Sequence, residues 1–299
     1  MGGDNLFANF ETLLESRQGK AVLIVAAAHD EFTLEAVFRA VEVFNLDYRL
    51  VGDEKSIRQI CAKLGKKPDS IIHAANDEEI AKKSVLLVKE ATNGVLVKGH
   101  IETSTLLKAV VNKESGIRAS KTMSHIAFLE IPSYKKLLAV TDGGMCASPN
   151  LEQKIDIVNN ALNLYYNMAG GDYIPKLAAL AASETLNPKL EDSVHADELK
   201  KLALRGEFGD VVFEGPISFD LAISKKSAEK KGFASPVCGD VDIFLMPGIT
   251  AGNVFCKCLI EWAGAKMAGV VVGASAPIVL VSRSASAEEK LNSIALCLK

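Results

Sequence analysis

The chain has 299 residues, of which 48% are hydrophobic, so it is long enough for two domains with large buried cores. Its formal net charge is −3, with Lys and Arg mixed among Asp and Glu, which argues against a nucleic-acid-binding surface. No apolar run reaches the roughly 18 residues of a membrane span, and the acidic N-terminus lacks the apolar core of a signal peptide. We therefore expect neither nucleic-acid nor membrane partners.

Strand-like apolar runs alternate with amphipathic helices along the first half of the chain. The strands are apolar without interruption, which is typical of parallel strands buried on both faces, so we predict an α/β fold. In chain order, the pattern predicts strands at 21–28, 48–52, 70–75, 94–99 and 125–131, and helices at 35–44, 53–64, 77–90 and 103–112.

Two pairs of strand-like runs have very short joints. Only PSYK separates HIAFLEI from KLLAVTD, and only ASA separates AGVVVG from PIVLVS. A parallel crossover needs about a dozen residues, so each joint is either a hairpin or a passage between domains. We favour passages, which predict a discontinuous first domain of residues 1–132 and 276–299. Residues 133–275 would then form an inserted second domain, with the active-site cleft between the two.

The common signatures of nucleotide, metal and hydrolase sites are missing from the sequence. It has no GxGxxG, no GxxxxGK[ST], no HExxH and no GxSxG. Its six cysteines are scattered, which indicates reduced cytosolic thiols and a cytoplasmic location. Cys256 and Cys258 fall in a predicted helix, where they point to different faces, so we do not predict a metal site there.

Several loops combine a strand end with residues suited to an anionic ligand. In TDGGMCASPN, a strand ends at Asp142, and Gly143 and Gly144 allow close backbone approach or simply a tight turn before a helix capped by Asn150. In LVKGHIETST, a strand ends at Lys98 and a helix follows. Near the C-terminus, Ser282 and Arg283 separate an apolar run from a helix, where an anion is favoured.

A further loop lies in GDVDIFLMPGITAGN, where Asp240 and Asp242 precede an apolar strand. Asn253 and Lys257 stand one helical turn apart in the helix after that strand and are candidates to face a ligand together. The alternative interpretation is that the two acids are solvated and the lysine belongs to an exposed helix face.

These stretches together carry a family resemblance. VKGHIETS, SHIAFLE, TDGGMCASPNLEQK, GPISFDLAIS, GDVDIFLMPGITAGN and PIVLVSRSASAEEKLNSIALC occur in this order from about residue 96 onward. The chain resembles the phosphate acetyl/butyryltransferase family, and most closely its butyryl branch. The resemblance implies two three-layer α/β/α domains like those of the isocitrate and isopropylmalate dehydrogenases. It also implies a homo-oligomer that binds no metal and no tight cofactor, and that uses CoA and acyl-CoA as substrates.

The implied reaction converts acyl-CoA and phosphate to acyl phosphate and CoA by direct attack in a ternary complex. By resemblance, Ser282 holds the carbonyl or phosphate, and Arg283 clamps phosphate with its guanidinium fork. Glu289 stands where the acetyl branch has an aspartate as thiol base, although Ser286 and Glu289 also fit a helix capping box. The other candidate phosphate or CoA contacts are Arg118, Lys98, Asp142, Gly143, Gly144 and Asn253.

Three other functions stay open at this point. The chain could be a phosphate acetyltransferase, or a metal-dependent decarboxylating dehydrogenase of related fold in which Asp240 and Asp242 supply acids. It could also be a CoA-binding protein that has lost its catalytic base, because glutamate replaces aspartate at position 289.

Overall fold

The structure is a computed structural model that describes residues 6–169, 173–282 and 285–298. Its Cα positions form two compact units. Unit A contains Leu13–Ser120 and the residues from Ala268 onward, and unit B contains the residues up to Thr12 together with Lys121–Met267. Within the described ranges, no helix is long and apolar enough to cross a membrane.

The strands of the two units follow the predicted apolar runs, with ends that differ from the predicted ones by up to three residues. The last strand, predicted within the run PIVLVS, has only two residues that pair with neighbouring strands, Ile278 and Val279. The strands are β1 (Val22–Ala26), β2 (Asp47–Gly52), β3 (Ile71–His73), β4 (Gly94–Lys98), β5 (Ser124–Glu130), β6 (Leu138–Thr141), β7 (Lys176–Leu180), β8 (Val212–Ile217), β9 (Ile243–Leu245), β10 (Lys266–Val272) and β11 (Ile278–Val279).

Several helices begin where a side chain accepts from one of their first N–H groups, among them those that start at Glu31, Glu54, Asp77, Lys225 and Ala287. The helix predicted from residue 35 begins at Glu31, because the carboxylate of Asp30 accepts from the Thr33 N–H at 3.0 Å. The helices are α1 (Phe10–Ser16), α2 (Glu31–Phe44), α3 (Glu54–Lys63), α4 (Asp77–Glu90), α5 (Thr103–Val110), α6 (Leu151–Ala169), α7 (Glu191–Leu204), α8 (Phe219–Ile223), α9 (Lys225–Lys230), α10 (Ile249–Ala263) and α11 (Ala287–Ala295).

In unit A, parallel strands pair in the order β3-β2-β1-β4-β11, and β10 pairs with β11 antiparallel. The chain runs from β1 outward to β3 on one side and returns to β4 on the other side of β1. The strand order therefore reverses between β1 and β4, and the loops that follow these two strands flank that point at the carboxyl edge of the sheet.

In unit B, β6, β9, β7 and β8 are parallel, in that order, and β5 pairs antiparallel with β6. Aliphatic and aromatic side chains from β5, β6, β7 and β9 pack with those of α8 and α10 into one core cluster. Phe244 of β9 is fully buried within this cluster. The carboxyl ends of β6, β9 and β7 lie side by side, which brings the loops after them to one edge.

Both short joints are hairpins, and the prediction that they are passages between domains is wrong. Residues of β5 pair antiparallel with β6 from Ile126↔Thr141 to Leu129↔Leu138, and β10 pairs with β11 through Val270↔Val279. A short connection suffices for antiparallel neighbours, and residue spacing alone does not distinguish the two arrangements. The compact units divide after Ser120 and after Met267, whereas the sequence predicted divisions after residues 132 and 275.

Asp242, directly before β9, is fully buried in a network of polar side chains at the amino end of the strand. Its Oδ1 accepts from the Tyr173 hydroxyl at 2.5 Å and lies 2.6 Å from the Lys136 ammonium. Its Oδ2 accepts from the backbone N–H of Lys176 at 2.7 Å. Every contact of this carboxylate is thus with a donor of the same unit.

Asp240, two residues earlier, is also held by lysines. Its carboxylate lies 2.8 Å from the Lys135 ammonium and 3.0 Å from that of Lys136, and it accepts from Lys176. Burial opposes ionisation, but the hydrogen bonds from these three lysines outweigh it and lower the pKa of Asp240. The dehydrogenase alternative would use Asp240 and Asp242 to bind a metal ion, but both carboxylates form ion pairs with lysines.

We expect Asp242→Asn to lower the free energy of unfolding by about 3–5 kcal/mol, because it removes the fully buried carboxylate charge that lies closest to the part-buried Lys136 ammonium. The matched change Asp240→Asn should cost about 1 kcal/mol or less, because Asp240 is part-exposed and two of its lysines reach solvent. Urea unfolding followed by circular dichroism measures both. Equal losses from the two variants would contradict the network described above.

Candidate active site

The carboxyl edge of unit A brings together two predicted site residues. Lys98 ends β4 and lies opposite Ala26 of β1 in the parallel register. On its other side β4 pairs with β11, in the register Ile278↔Leu96 and Val279↔Val97. Ser282 follows β11 by three residues and is exposed. Lys98 and Ser282 therefore stand at the ends of neighbouring strands, beside the point where the strand order reverses.

The loop that begins at Lys98 is pinned to the loop after β1. The Gly99 and His100 N–H groups donate to the carbonyl oxygens of Ala26 and Ala27 at 2.8 and 3.0 Å. A Cβ at position 99 would lie 2.3 Å from the Ala27 carbonyl oxygen, so the close approach requires glycine. Lys98 is buried, and its Nζ donates to the Gly99 carbonyl oxygen at 3.4 Å.

Two histidines that we did not single out as a pair face each other at this edge. The rings of His29 and His100 have centroids 5.9 Å apart. Burial lowers the pKa of His29, and the neighbouring His100 lowers it further, while Asp77, Asp53 and Asp30 oppose these effects. The sequence signal for this pair was weak, because the two histidines follow different strands and only the β1–β4 pairing makes them neighbours.

The predicted capping box at the start of α11 is confirmed. The Ser286 N–H donates to Oε2 of Glu289 at 2.7 Å, and the Glu289 N–H donates to Oγ of Ser286 at 3.1 Å. The next residue, Lys290, is buried and donates to Oδ2 of Asp30 at 3.1 Å, which ties α11 to the loop after β1. Arg283, the predicted phosphate clamp, lies outside the described residues.

Arg118 is exposed and is carried on a segment fixed to the β10–β11 hairpin. Its backbone forms an antiparallel bridge with Ala274, and the N–H groups of Ala119 and Ser120 both donate to the Gly273 carbonyl oxygen. The same hairpin continues into β11 and then Ser282. The backbone therefore links the candidate anion contact Arg118 to the chain segment that carries Ser282.

In unit B, Asp142 fixes the shape of the glycine loop after β6. The side chain is 1% exposed. Its Oδ2 accepts from the His125 N–H at 2.9 Å, and its Oδ1 accepts from the Gly144 and Met145 N–H groups at 2.6 and 2.7 Å. This buried carboxylate is satisfied by two N–H groups of its own loop and by one of β5. We therefore interpret Asp142 as a positioning residue and not as a direct phosphate contact.

The start of α10 packs directly against that loop. A Cβ at Gly252 would lie 2.8 Å from both the Asp142 carbonyl oxygen and Gly143 Cα, and one at Gly143 would lie 2.9 Å from the Gly252 carbonyl carbon. Asn253 donates from Nδ2 to the Gly143 carbonyl oxygen at 3.2 Å. The glycines at 143 and 252 thus allow two backbones to touch, and Asn253 adds a hydrogen bond across the contact.

Gly144 faces a different neighbour. A Cβ at this position would lie 2.8 Å from the His125 ring, so glycine is needed for packing here as well. The predicted N-cap of the following helix is confirmed, because the Gln153 N–H donates to Asn150 Oδ1 at 2.9 Å. In the parts of the chain that the structure describes, no group of three or more His, Cys, Asp or Glu is arranged to hold a metal ion.

Comparisons with known proteins agree with the sequence resemblance. A family model described as phosphate acetyl/butaryl transferase matches residues 53–298. A probable phosphate butyryltransferase of Bacillus subtilis (strain 168) is 41% identical over 276 residues, which is 92% of each chain. The phosphate butyryltransferase of Clostridium acetobutylicum is 41% identical over 285 residues, covering 95% of this chain and 94% of the relative.

Among solved structures, a branched-chain phosphotransacylase from Enterococcus faecalis V583 aligns with a TM-score of 0.78. The two chains are 30% identical, and the alignment covers 93% of this chain and 97% of the other.

We expect Gly252→Ala to destabilise the protein by about 1–3 kcal/mol, because the added Cβ forces the two backbones apart. Helix propensity alone predicts the opposite sign, a gain of about 1 kcal/mol. The control Ala251→Gly changes an exposed neighbour in the same helix and should cost only about 1 kcal/mol. Thermal unfolding of the unchanged protein and of the two variants measures these differences in stability. A Gly252→Ala variant that is more stable than the unchanged protein would refute the packing argument.

Proposed function

The chain belongs to the phosphate acetyl/butaryl transferase family, and we propose that it transfers a short acyl group, butyryl or similar, between CoA and inorganic phosphate. The reaction converts acyl-CoA and phosphate to acyl phosphate and CoA. The observation that carries this proposal is the 41% identity to phosphate butyryltransferases over more than nine-tenths of the chain. The name of the branched-chain phosphotransacylase supports a four-carbon or branched acyl group rather than acetyl.

The proposed chemistry is a direct displacement without an acyl-enzyme. A phosphate oxygen attacks the thioester carbonyl carbon, the C–O bond forms, and the C–S bond breaks as CoA leaves as thiolate and is then protonated. Such a step needs an anion clamp, donors for the developing oxyanion and a group that exchanges the thiol proton. The residues at the end of β11 and the start of α11 supply all three types of side chain.

We assign the anion clamp to Arg283, because a guanidinium fork matches two phosphate oxygens. Ser282, exposed at the end of β11, holds the carbonyl or phosphate oxygen through its hydroxyl. Lys98 and Arg118 add positive charge for phosphate or CoA on the same unit. We assign Ser282 a hydrogen-bonding role and not a nucleophilic one, because the sequence shows no Ser–His–acid constellation that would activate it.

Glu289 is the proposed base for the CoA thiol in the direction of acyl-CoA synthesis. Its capping-box bond uses Oε2, and a carboxylate has about four lone-pair sites, so a second interaction is compatible with the cap. The cap also restricts the side chain to one arrangement at the helix start. A glutamate that caps α11 is thereby held close to the chain segment that carries Ser282.

In unit B, we propose Gly143, Gly144 and Asn253 as contacts for CoA, with Asp142 acting through the shape of their loop. The backbone there is fixed by Asp142 and by α10. A preorganised backbone loses little conformational entropy when a ligand binds. These four assignments rest on the family resemblance together with the rigidity of the loop.

The proposal also covers the layer arrangement of each unit, the absence of a tight cofactor and the cellular location. We infer a three-layer α/β/α arrangement of the isocitrate and isopropylmalate dehydrogenase type for each unit, supported by helices that connect successive parallel strands. We also propose that the enzyme binds no tight cofactor and works in the cytoplasm. The six cysteines, all of them free thiols, support that location.

The purified protein should release CoA from butyryl-CoA only when phosphate is present, and hydroxylamine should trap the acyl phosphate. An apolar pocket discriminates by roughly 1–3 kcal/mol per methylene, so acetyl-CoA should react more slowly but measurably. A strict acetyl preference would move the protein to the acetyl branch. CoA release without phosphate, or no release at all, would reject the proposed function.

Arg283→Ala provides the inactive reference for this assay. Loss of two charge-assisted bonds, each worth roughly 1.5–3 kcal/mol, should reduce phosphate-dependent turnover about 100-fold or more. Arg283→Lys should recover only part of the rate, because lysine lacks the planar fork. The matched control Arg205→Ala removes an exposed arginine that pairs with Glu207 after α7 and should leave the rate unchanged. Wild-type turnover by Arg283→Ala would reject the clamp.

Glu289→Gln separates the base from the helix cap. Glutamine still accepts the Ser286 N–H bond, so stability should change little, while acyl-CoA synthesis should slow by about 100-fold, within the usual range for a general base. The acidic limb of the pH–rate profile should disappear with the carboxylate. Glu289→Ala should lose the rate and also about 1 kcal/mol of stability. A Gln variant with normal rate and an unchanged profile assigns Glu289 to capping alone.

A further inference from the structure

The helix α11 is buried on every side after its first three residues. Each residue from Lys290 to Ala295 is buried, and three of them, Lys290, Asn292 and Ser293, are polar. A helix with one apolar face is oriented by the contrast between that face and water. A helix that is buried all round has no such contrast, and apolar packing has no direction of its own. Directional polar contacts therefore set the rotation of α11 about its axis.

Ser293 makes the first of these contacts. Its Oγ accepts from the Gly269 N–H of β10 at 2.9 Å and donates to the Glu289 carbonyl oxygen at 2.7 Å. A single hydroxyl thus connects the sheet of unit A to the backbone of the proposed base. One contact fixes one point of the helix, and a second contact in another direction is needed to stop rotation about that point.

Lys290 makes the second contact. Its Nζ donates to Oδ2 of Asp30 at 3.1 Å and lies 6.0 Å from the centroid of the Phe32 ring in the first turn of α2. The Lys290 side chain is 5% exposed and the Asp30 side chain 21%. Burial raises the pKa of Asp30, but hydrogen bonds from Thr33 and Lys290 outweigh burial, so the pKa is lowered. The contact is therefore an ion pair that is largely shielded from water.

The two contacts reach the two flanks of the strands that carry the candidate site. Asp30 follows β1 and Gly269 lies in β10, and the strand order in between is β1-β4-β11-β10. Lys98 stands at the end of β4, and Ser282 follows β11. The contacts therefore fix α11 relative to both of these residues. Glu289 lies within one helical turn of each contact, so its position depends on both.

We propose that Asp30 and Lys290 are positioning residues for acyl transfer, whose ion pair holds α11 in the rotation at which Glu289 reaches the CoA thiol. The proposal rests on the proposed function and on Glu289 as its base, because both residues act through that carboxylate. Removal of one partner leaves the other charge buried without compensation. A displacement of about 1 Å caused from outside the reacting centre can lower a rate about 100-fold.

Asp30→Asn tests the pair and keeps the helix cap. Asparagine caps a helix as well as aspartate does, so α2 keeps its first turn while Lys290 loses its charge partner. We expect kcat for acyl-CoA synthesis to fall about tenfold or more, with KM for the acyl phosphate little changed. The matched control Asp53→Asn changes the N-cap of α3, which accepts from the Ser56 N–H at 2.8 Å and pairs with no lysine of the described residues. This control should leave kcat unchanged.

A double-mutant cycle with Glu289→Gln separates positioning from a general loss of stability. If the pair acts through the Glu289 carboxylate, Asp30→Asn should have no further effect on kcat once that carboxylate is an amide. A variant that merely loosens the fold should lower kcat by the same factor in both backgrounds. Circular dichroism at the assay temperature shows whether each variant is folded.

The combined variant Asp30→Asn with Lys290→Met removes both charges at nearly constant volume. It should fold even if Asp30→Asn alone does not, because no charge is left unpaired. Its kcat should be as low as that of Asp30→Asn, since both lack the same contact. Normal kcat in either variant, or equal factors in the two Glu289 backgrounds, would overturn the proposal. No phosphate-dependent CoA release by the unchanged protein, or a normal rate in Glu289→Gln, would instead overturn the assignments on which it rests.

Discussion

Parallel strand pairing is the constraint on which both candidate site regions depend. Because β1, β4 and β11 run in one direction, the residues that follow them, including Lys98 and Ser282, reach the same edge of unit A. In unit B, the pairing of β6 with β9 brings the Asp142 loop beside the start of α10. Neither region is a contiguous stretch of sequence, and each exists only because the strands share a direction.

Close contacts between backbone segments then fix the conformation of the loops that follow the strands. Gly99 contacts the loop after β1, and Gly143 contacts Gly252, in each case at distances that leave no room for a Cβ. The Asp142 carboxylate accepts from two N–H groups of its own loop and from one of β5. A loop held this way has few conformations to lose when a ligand binds, which is the physical advantage of a preorganised site.

Local sequence patterns predicted individual helices and their caps well. They predicted contacts between residues that are distant in sequence less well. The pattern at Asp77–Glu90 gave the bounds of α4, and Ser286 with Glu289 gave a capping box, because both are properties of neighbouring residues. The short joints were misinterpreted, because a hairpin and a domain passage have the same residue spacing. The role of Asp142 was missed for a similar reason, since its partner His125 belongs to a different strand.

The distribution of buried charge explains why ligand chemistry is expected at one edge of unit B only. At the amino end of β9, Asp240 and Asp242 are matched by Lys135, Lys136 and Lys176, so that end is a closed ionic network. At the carboxyl end of β6, the buried acid Asp142 accepts from backbone N–H groups, and no lysine of the described residues pairs with it. Charge neutralisation by lysine therefore stabilises the fold at one edge, and backbone preorganisation shapes the opposite edge.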